Sequence, residues 1–176
     1  MKVTYYVASS IDGYIAKEDG DVSWLDKLDI PLEETGYDTF YSSVDALVMG
    51  RNTYDMVCSF GTWPYGDKAV WVCTNGTITP IEGVNLQKET SPRAVVEAAK
   101  KKGKSHLWLV GGGKLASSFI ENSLLANITL SQMPIILGEG IKLFSSMQDF
   151  TMLKLKACRN HPLGFAQIEY EIQGPL

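Results

Sequence analysis

The chain has 176 residues, 45% of them hydrophobic and 20% charged, which is enough apolar content to bury one sizeable core within single-domain length. Sixteen basic against twenty acidic residues give a net charge of −4, and the longest basic run is Lys100-Lys101-Lys102, so a nucleic-acid footprint is excluded. No apolar stretch reaches the length of a signal peptide or membrane span, and Cys58, Cys73 and Cys158 are too few and too scattered for a disulfide framework; the reading is one cytoplasmic domain over 1–176, with reduced thiols and neither nucleic acid nor membrane as partner.

Val3 to Ser9 is β-branched and aromatic and predicts a buried first strand, after which Ile11-Asp12-Gly13 signals a turn into Tyr14-Ile15-Ala16. Lys17 to Asp21 is a charged, glycine-containing loop suited to act as a lid, and it leads to Trp24. Tyr37, Phe40, Tyr41 and Val44 recur at helical spacing, with Thr35 and Asp38 placed like a capping pair. A helix starting at Pro31 instead would put Glu33 on its apolar face and Glu34 beside it. Ala46 to Met49 reads as a buried strand, and Gly50-Arg51-Asn52-Thr53 leads straight into a helical period from Tyr54. Ala69 to Cys73 is a third strand, ending in the polar turn Thr74-Asn75-Gly76.

Ser91 and Pro92 supply an N-cap and a first-turn proline for a helix that Gly103 stops. A strand from Leu107 then breaks into Gly111-Gly112-Gly113 and restarts as a helix through Leu115, Phe119 and Ile120. Asn127 to Ser131 and Met133 to Leu137 are strand-like, and Phe150 to Ala157 and Phe165 to Ile172 alternate as two final strands joined through His161-Pro162-Leu163-Gly164. Strands alternating with helices and closing on a strand pair predict an α/β mixed sheet with helices on both faces.

Two strand-to-helix junctions carry the candidate chemistry. Gly111 to Ala116 fits G-x-G-x-x-A, but a Rossmann site would occupy the first βα turn with an acidic residue about twenty positions on. Here the glycines come late, and the following strand ends at Ser131-Gln132 without a carboxylate. Three glycines offer bare backbone N–H groups to an anion at a helix start, or else only close helix–sheet packing. At the other junction Arg51 is able to fork onto a phosphate beside Thr53, or to stand exposed. Neither His106 nor His161 has a second ligand at metal spacing, so no metal is assigned.

Ala8-Ser-Ser-Ile-Asp-Gly-Tyr-Ile-Ala16, Val48-Met-Gly-Arg-Asn-Thr-Tyr54, Val110-Gly-Gly-Gly-Lys-Leu115 and Pro134-Ile-Ile-Leu-Gly-Glu-Gly140, in this order and spacing, resemble the dihydrofolate reductase-like family. The nearer likeness is to its branch similar to the reductase domain of the bifunctional riboflavin-biosynthesis deaminase-reductase. The resemblance implies a three-layer fold, a mixed sheet of about eight strands whose last strand runs antiparallel, and NADPH as cofactor. It further implies that the Ala8 backbone and Ile15 face the nicotinamide, that Gly50, Arg51, Asn52, Thr53, Thr74 and Asn75 hold the pyrophosphate and the adenosine 2′-phosphate, and that Val110, Gly111, Gly112, Gly113, Lys114 and Leu115 take the central diphosphate, with a cis peptide between two of the glycines.

For the proton donor, the resemblance points to Glu34 on the segment before the Met49-Gly50-Arg51 strand, while Glu33 and Glu34 also read as solvated loop carboxylates. It places Asp12 at the cleft mouth, where an Asp-Gly turn is the plain alternative. Trp24, Tyr37 and Phe40 are candidates to wall a flat heterocycle, against the alternative that aromatics at helical spacing are core. The expected activity is hydride transfer from NADPH to a small pterin-like or pyrimidine-like heterocycle. The alternatives are a ribosylaminopyrimidinone phosphate reductase of the riboflavin pathway, which needs a second cationic or hydroxyl cluster and whose deaminase domain does not precede this one, and a non-catalytic nucleotide- or flavin-binding protein. Relatives of the riboflavin type imply a homodimer.

Overall fold

The structure is a computed structural model describing residues 1–174. Eight strands form one sheet: β1 (Lys2–Ser9), β3 (Ala46–Gly50), β4 (Ala69–Cys73), β5 (Leu86–Glu89), β6 (His106–Gly111), β7 (Asn127–Gln132), β9 (Leu153–Asn160) and β10 (Ala166–Ile172), in the order β5-β4-β3-β6-β1-β7-β10-β9. Two short strands, β2 (Tyr14–Ala16) and β8 (Ile141–Lys142), pair separately as an antiparallel ribbon. Pairing is parallel from β5 across to β7, whereas β10 runs antiparallel to both neighbours. This is the expected α/β architecture, with the antiparallel strand last in the chain.

The central strands are continuous apolar runs because both faces of a parallel sheet are covered. Helices α3 (Pro92–Lys101) and α4 (Gly113–Glu121) bury Val95, Ala99, Ala116 and Phe119 against Val3, Tyr5, Val48 and Trp71 on one face. On the other, α1 (Tyr37–Ser43) and α2 (Arg51–Ser59) set Tyr37, Phe40, Tyr54 and Val57 against Leu47, Met49, Val72 and Trp108. A smaller cluster of Trp24, Met133 and Phe165 lies near the C-terminal ends of β1 and β7.

Several local expectations are corrected. Met133 to Leu137 is not a strand: Pro134 has no donor, and the segment instead follows the loop after β1 through isolated bonds from Met133 N to Ser9 O and from Ile11 N to Ile135 O, 2.8 and 2.9 Å. Thr35 and Asp38 do not cap α1, because Leu32–Thr35 forms a 3₁₀ turn in which the Thr35 hydroxyl donates to Leu32 O at 2.6 Å, and α1 starts at Gly36 with φ +75°. The segment Lys17 to Asp21 folds back on itself through an ion pair of 2.8 Å and does not border the cavity described below.

The β2–β8 ribbon is pressed against the start of α4, and two glycines permit this. A Cβ on Gly113 would overlap the Lys142 carbonyl oxygen and lie 2.9 Å from that of Leu143. A Cβ on Gly140, whose φ is +147°, would overlap the Ala16 carbonyl. These obstacles are backbone atoms, which cannot rotate away as a side chain does.

Gly113→Ala should therefore cost about 1–3 kcal/mol of folding stability in urea denaturation, as overpacking does. Gly50→Ala, whose added methyl meets nothing nearer than 3.8 Å, should stay within about 0.5 kcal/mol of the parent. Equal losses would mean that the ribbon yields instead.

Candidate active site

The two glycine-bearing junctions lie side by side because β3 pairs with β6. Met49 is in register with Gly111 after a slip that bypasses Val110, and Gly50 is in register with Cys73 of β4. An ideal Cβ on Gly50 would stand 3.8 Å from Gly111 O, and one on Gly111 would stand 3.5 Å from the Thr53 hydroxyl. The peptide bond between Gly111 and Gly112 is cis, as the resemblance implies.

Helix α3, which starts after the edge strand β5, is capped by the Ser91 hydroxyl, which accepts from Ala94 N at 3.2 Å. Helices α2 and α4 start at Gly50 and Gly112 without a side-chain cap. Apart from Leu115 N, their first-turn N–H groups have no acceptor within the helix, and a helix dipole favours an anion at such ends. Arg51 lies beside them: its Nε donates to Asp55 Oδ2 at 2.6 Å and its Nη1 to the Thr77 carbonyl, which holds the guanidinium against the Thr74-Asn75-Gly76 turn. Lys114 and Asn52 are exposed at the same edge. Two of the expected contacts take other roles. Leu115 packs its side chain into the core and donates its amide to Gly112 O at 3.0 Å, and Gly113 is covered by the Lys142–Leu143 backbone.

At the C-terminal ends of β1 and β7, on the α1 side, a cavity of about 510 Å³ opens. Tyr6, Ala8, Ser131 and Met133 form its floor, and its wall is the segment between β2 and α1, through Leu25, Leu28, Ile30, Pro31 and Leu32. Asp26, Asp29 and Thr35 complete the lining. Beneath, the Tyr6 ring stacks on Phe40 at 4.2 Å and meets Trp108 edge-on at 6.3 Å. The Tyr6 hydroxyl donates to Thr35 O at 2.9 Å, and burial raises its pKa. The Gln167 amide donates to Thr35 O at 2.9 Å and to Ser131 Oγ at 3.2 Å, fastening the wall to the floor.

None of the three aromatics expected to wall the substrate lines this cavity. Tyr37 and Phe40 pack against Trp108, Trp24 is 1% exposed beside Met133 and Phe165, and all three support the lining from behind. Glu34 does not line it either: its carboxylate is exposed, with Oε2 3.9 Å from His161 Nε2. Asp12 is a loop clamp, accepting from Leu137 N at 3.1 Å and Gly138 N at 2.7 Å. The Ser10 hydroxyl, and after it the Gly138 and Leu137 amides, hold its pKa below the ordinary value, so it is ionised and engaged. Asp26, Asp29, Ser131 and Gln167 are brought to the site without having been expected there. Asp26 and Asp29 sit in an aperiodic stretch, and Gln167 alternates with Glu169 and Glu171 as on a solvent face.

Residues 61–165 match the RibD C-terminal domain. The chain belongs to this family. The uncharacterised Bacillus subtilis protein YwjB is 34% identical over 160 residues, covering 90% of this chain and 91% of its own length. A Shewanella sp. PV-4 protein ascribed to riboflavin biosynthesis superposes with a TM-score of 0.87 at 30% identity, over 99% of this chain and 100% of that one. The Thermotoga maritima diaminohydroxyphosphoribosylaminopyrimidine deaminase/5-amino-6-(5-phosphoribosylamino)uracil reductase superposes with a TM-score of 0.72 at 15% identity, over 98% of this chain but only 56% of that longer one, a likeness of fold. RibD C-terminal domains are of reductase type, and the dihydrofolate reductase-like expectation made from the four motifs agrees with this membership. Among the described residues no helix is long and apolar enough to cross a membrane.

Asp12→Ala should speed amide exchange at Leu137 and Gly138 while leaving β7 protected, as read by hydrogen-exchange mass spectrometry. Unchanged exchange in that loop would remove the clamp role.

Proposed function

We propose that this protein is an NADPH-dependent reductase that delivers hydride to a small pterin-like or pyrimidine-like heterocycle. The observation that carries the reading is the pair of uncapped helix starts, α2 and α4, adjoining across β3 and β6 with the Arg51 guanidinium beside them. These residues fit a phosphorylated dinucleotide. Free N–H groups at two helix starts suit a diphosphate, and Arg51 with Thr74 and Asn75 suits the adenosine 2′-phosphate. Lys114 adds a cation at the same edge.

The Ala8 backbone and Ile15 would border the nicotinamide, at the strand end that also forms the cavity floor. The reduced nicotinamide supplies the hydride for an electron-poor C=N or C=O bond. The chain's part is to hold the ring and substrate face to face, with the Leu25–Leu32 wall shielding one side of that space from water. A non-catalytic nucleotide-binding role is the second reading, and what favours it is that neither Glu34 nor Asp12 lines the cavity.

Titration with NADPH and NADH, followed by the reduced-nicotinamide absorbance on adding dihydropterin and aminopyrimidine substrates, tests both. Oxidation of NADPH supports the reductase; tight binding with no turnover supports the second reading; no nicotinamide binding sinks the reductase and any nicotinamide-binding form of the second reading. Arg51→Ala should weaken NADPH by about 1.5–3 kcal/mol, the range for a hydrogen bond to a charged group, and NADH by less. Folding should be little changed, since the partner Asp55 is solvated once released. Equal losses for the two cofactors would move Arg51 from the 2′-phosphate to the pyrophosphate.

A further inference from the structure

We infer that the cavity takes a neutral or cationic, unphosphorylated heterocycle bearing N–H donors, and discriminates against the sugar-phosphate form of such a ring. This rests on the reductase reading for the identity of the site and goes beyond it in naming the substrate class. It begins from charge. Among the described residues the cavity lining contains no lysine, arginine or histidine, and its only ionisable carboxyls are Asp26 and Asp29. Lys27 lies between them in sequence but does not line the cavity. A phosphate taken into such a space would lose water without gaining a cation and would face two like charges. The N–H groups able to receive a phosphate, at the starts of α2 and α4, belong to residues that do not line the cavity.

The two aspartates reach the cavity from one turn. Asp26 opens the 3₁₀ turn Asp26–Leu28, and Asp29 closes it with φ +51° and its N–H donating to Asp26 O at 3.4 Å, and both line the cavity. A carboxylate accepts and does not donate when ionised, so the pair calls for amino or ring N–H groups, or a cation, on the ligand.

The floor supplies the complementary group. Ser131 is 3% exposed and lines the cavity. Its oxygen accepts one proton of the Gln167 amide, whose nitrogen also donates to Thr35 O. Both amide protons are thereby used, and the Ser131 hydroxyl donates to no described residue, which leaves its own proton for an acceptor in the cavity. One donor on the floor, two acceptors on the wall and apolar surface between them describe a flat aminated ring with a carbonyl or imine nitrogen.

The test compares binding of 5-amino-6-(5-phosphoribosylamino)uracil and of its dephosphorylated nucleoside to the full chain, by calorimetry with and without NADPH. The nucleoside should bind at least about tenfold more tightly, and the gap should shrink at high salt because the aspartates are exposed. In the double variant Asp26→Asn with Asp29→Asn the two ligands should bind within about twofold of each other; asparagine tolerates the left-handed backbone of Asp29, so the turn is kept. Ser131→Ala should weaken both ligands alike. Tighter or equal binding of the phosphate ester by the parent, an undiminished gap in the double variant, or binding of neither ligand would overturn the inference. NADPH binding, measured separately by fluorescence, reports on the reductase reading alone.

Discussion

Parallel pairing of β3 with β6 is the constraint from which the rest of the site follows. Two parallel strands must leave the sheet at the same edge, and here α2 leaves toward one face and α4 toward the other. The starts of two helices therefore meet at a crevice between strand ends, the place where an open α/β sheet binds ligands. The chains approach closely at this meeting point, where Gly50 faces the Gly111–Gly112 backbone and Thr53 lies against both of those glycines at van der Waals distance. The opposite end of the same strand pair is pinned by Asp45, whose carboxylate accepts from the backbone N of Ser105 and of His106, at 2.9 and 3.2 Å.

This arrangement is how a chain of net charge −4 would carry the proposed anion site without a basic surface. Each uncapped helix start contributes a partial positive charge from its free N–H groups, worth about 0.3–1 kcal/mol toward a nearby anion, and this charge is fixed by the fold. The contrast with α3 is informative, because an ordinary serine cap there satisfies what α2 and α4 leave open. Arg51 adds a full charge held in place by Asp55 and the Thr77 carbonyl, so the guanidinium loses less freedom on binding than an untethered one would.

Legibility in the sequence followed burial. Ala46-Leu-Val-Met49, Ala69-Val-Trp-Val-Cys73 and the Leu107 run are continuous apolar segments because helices cover both faces, and each is a strand. Leu86-Gln-Lys-Glu89 escaped notice as β5 because it is a half-exposed edge strand that buries little. Met133 to Leu137 misled by composition: of its apolar residues only Met133 is buried and Ile136 is 72% exposed, and Pro134 and the close loop around Asp12 replace ladder pairing with single bonds. The Thr35-x-x-Asp38 spacing suggested a cap, yet the Thr35 hydroxyl was already bound within the preceding turn. The glycine junctions were legible because bare backbone at a strand end leaves a mark on composition. The cavity was not, because Leu25 to Thr35 has neither helical nor strand period, and its lining is set by how that segment lies across β1 and β7.

The two halves of the site are thus built from different material. Strand ends and helix starts make the proposed cofactor half from backbone groups, whose positions the sheet dictates and which few side-chain changes can alter. The proposed substrate half is a floor of four residues roofed by an irregular segment, tied down where the Tyr6 hydroxyl and the Gln167 amide converge on one carbonyl of Thr35. Such a segment exchanges side chains without disturbing the sheet, and loops on rigid scaffolds are where specificity is varied. Membership of a family fixed by its sheet therefore constrains what the first half would bind far more than what the second would accept, and in this chain the second half sets two carboxylates into a largely apolar lining.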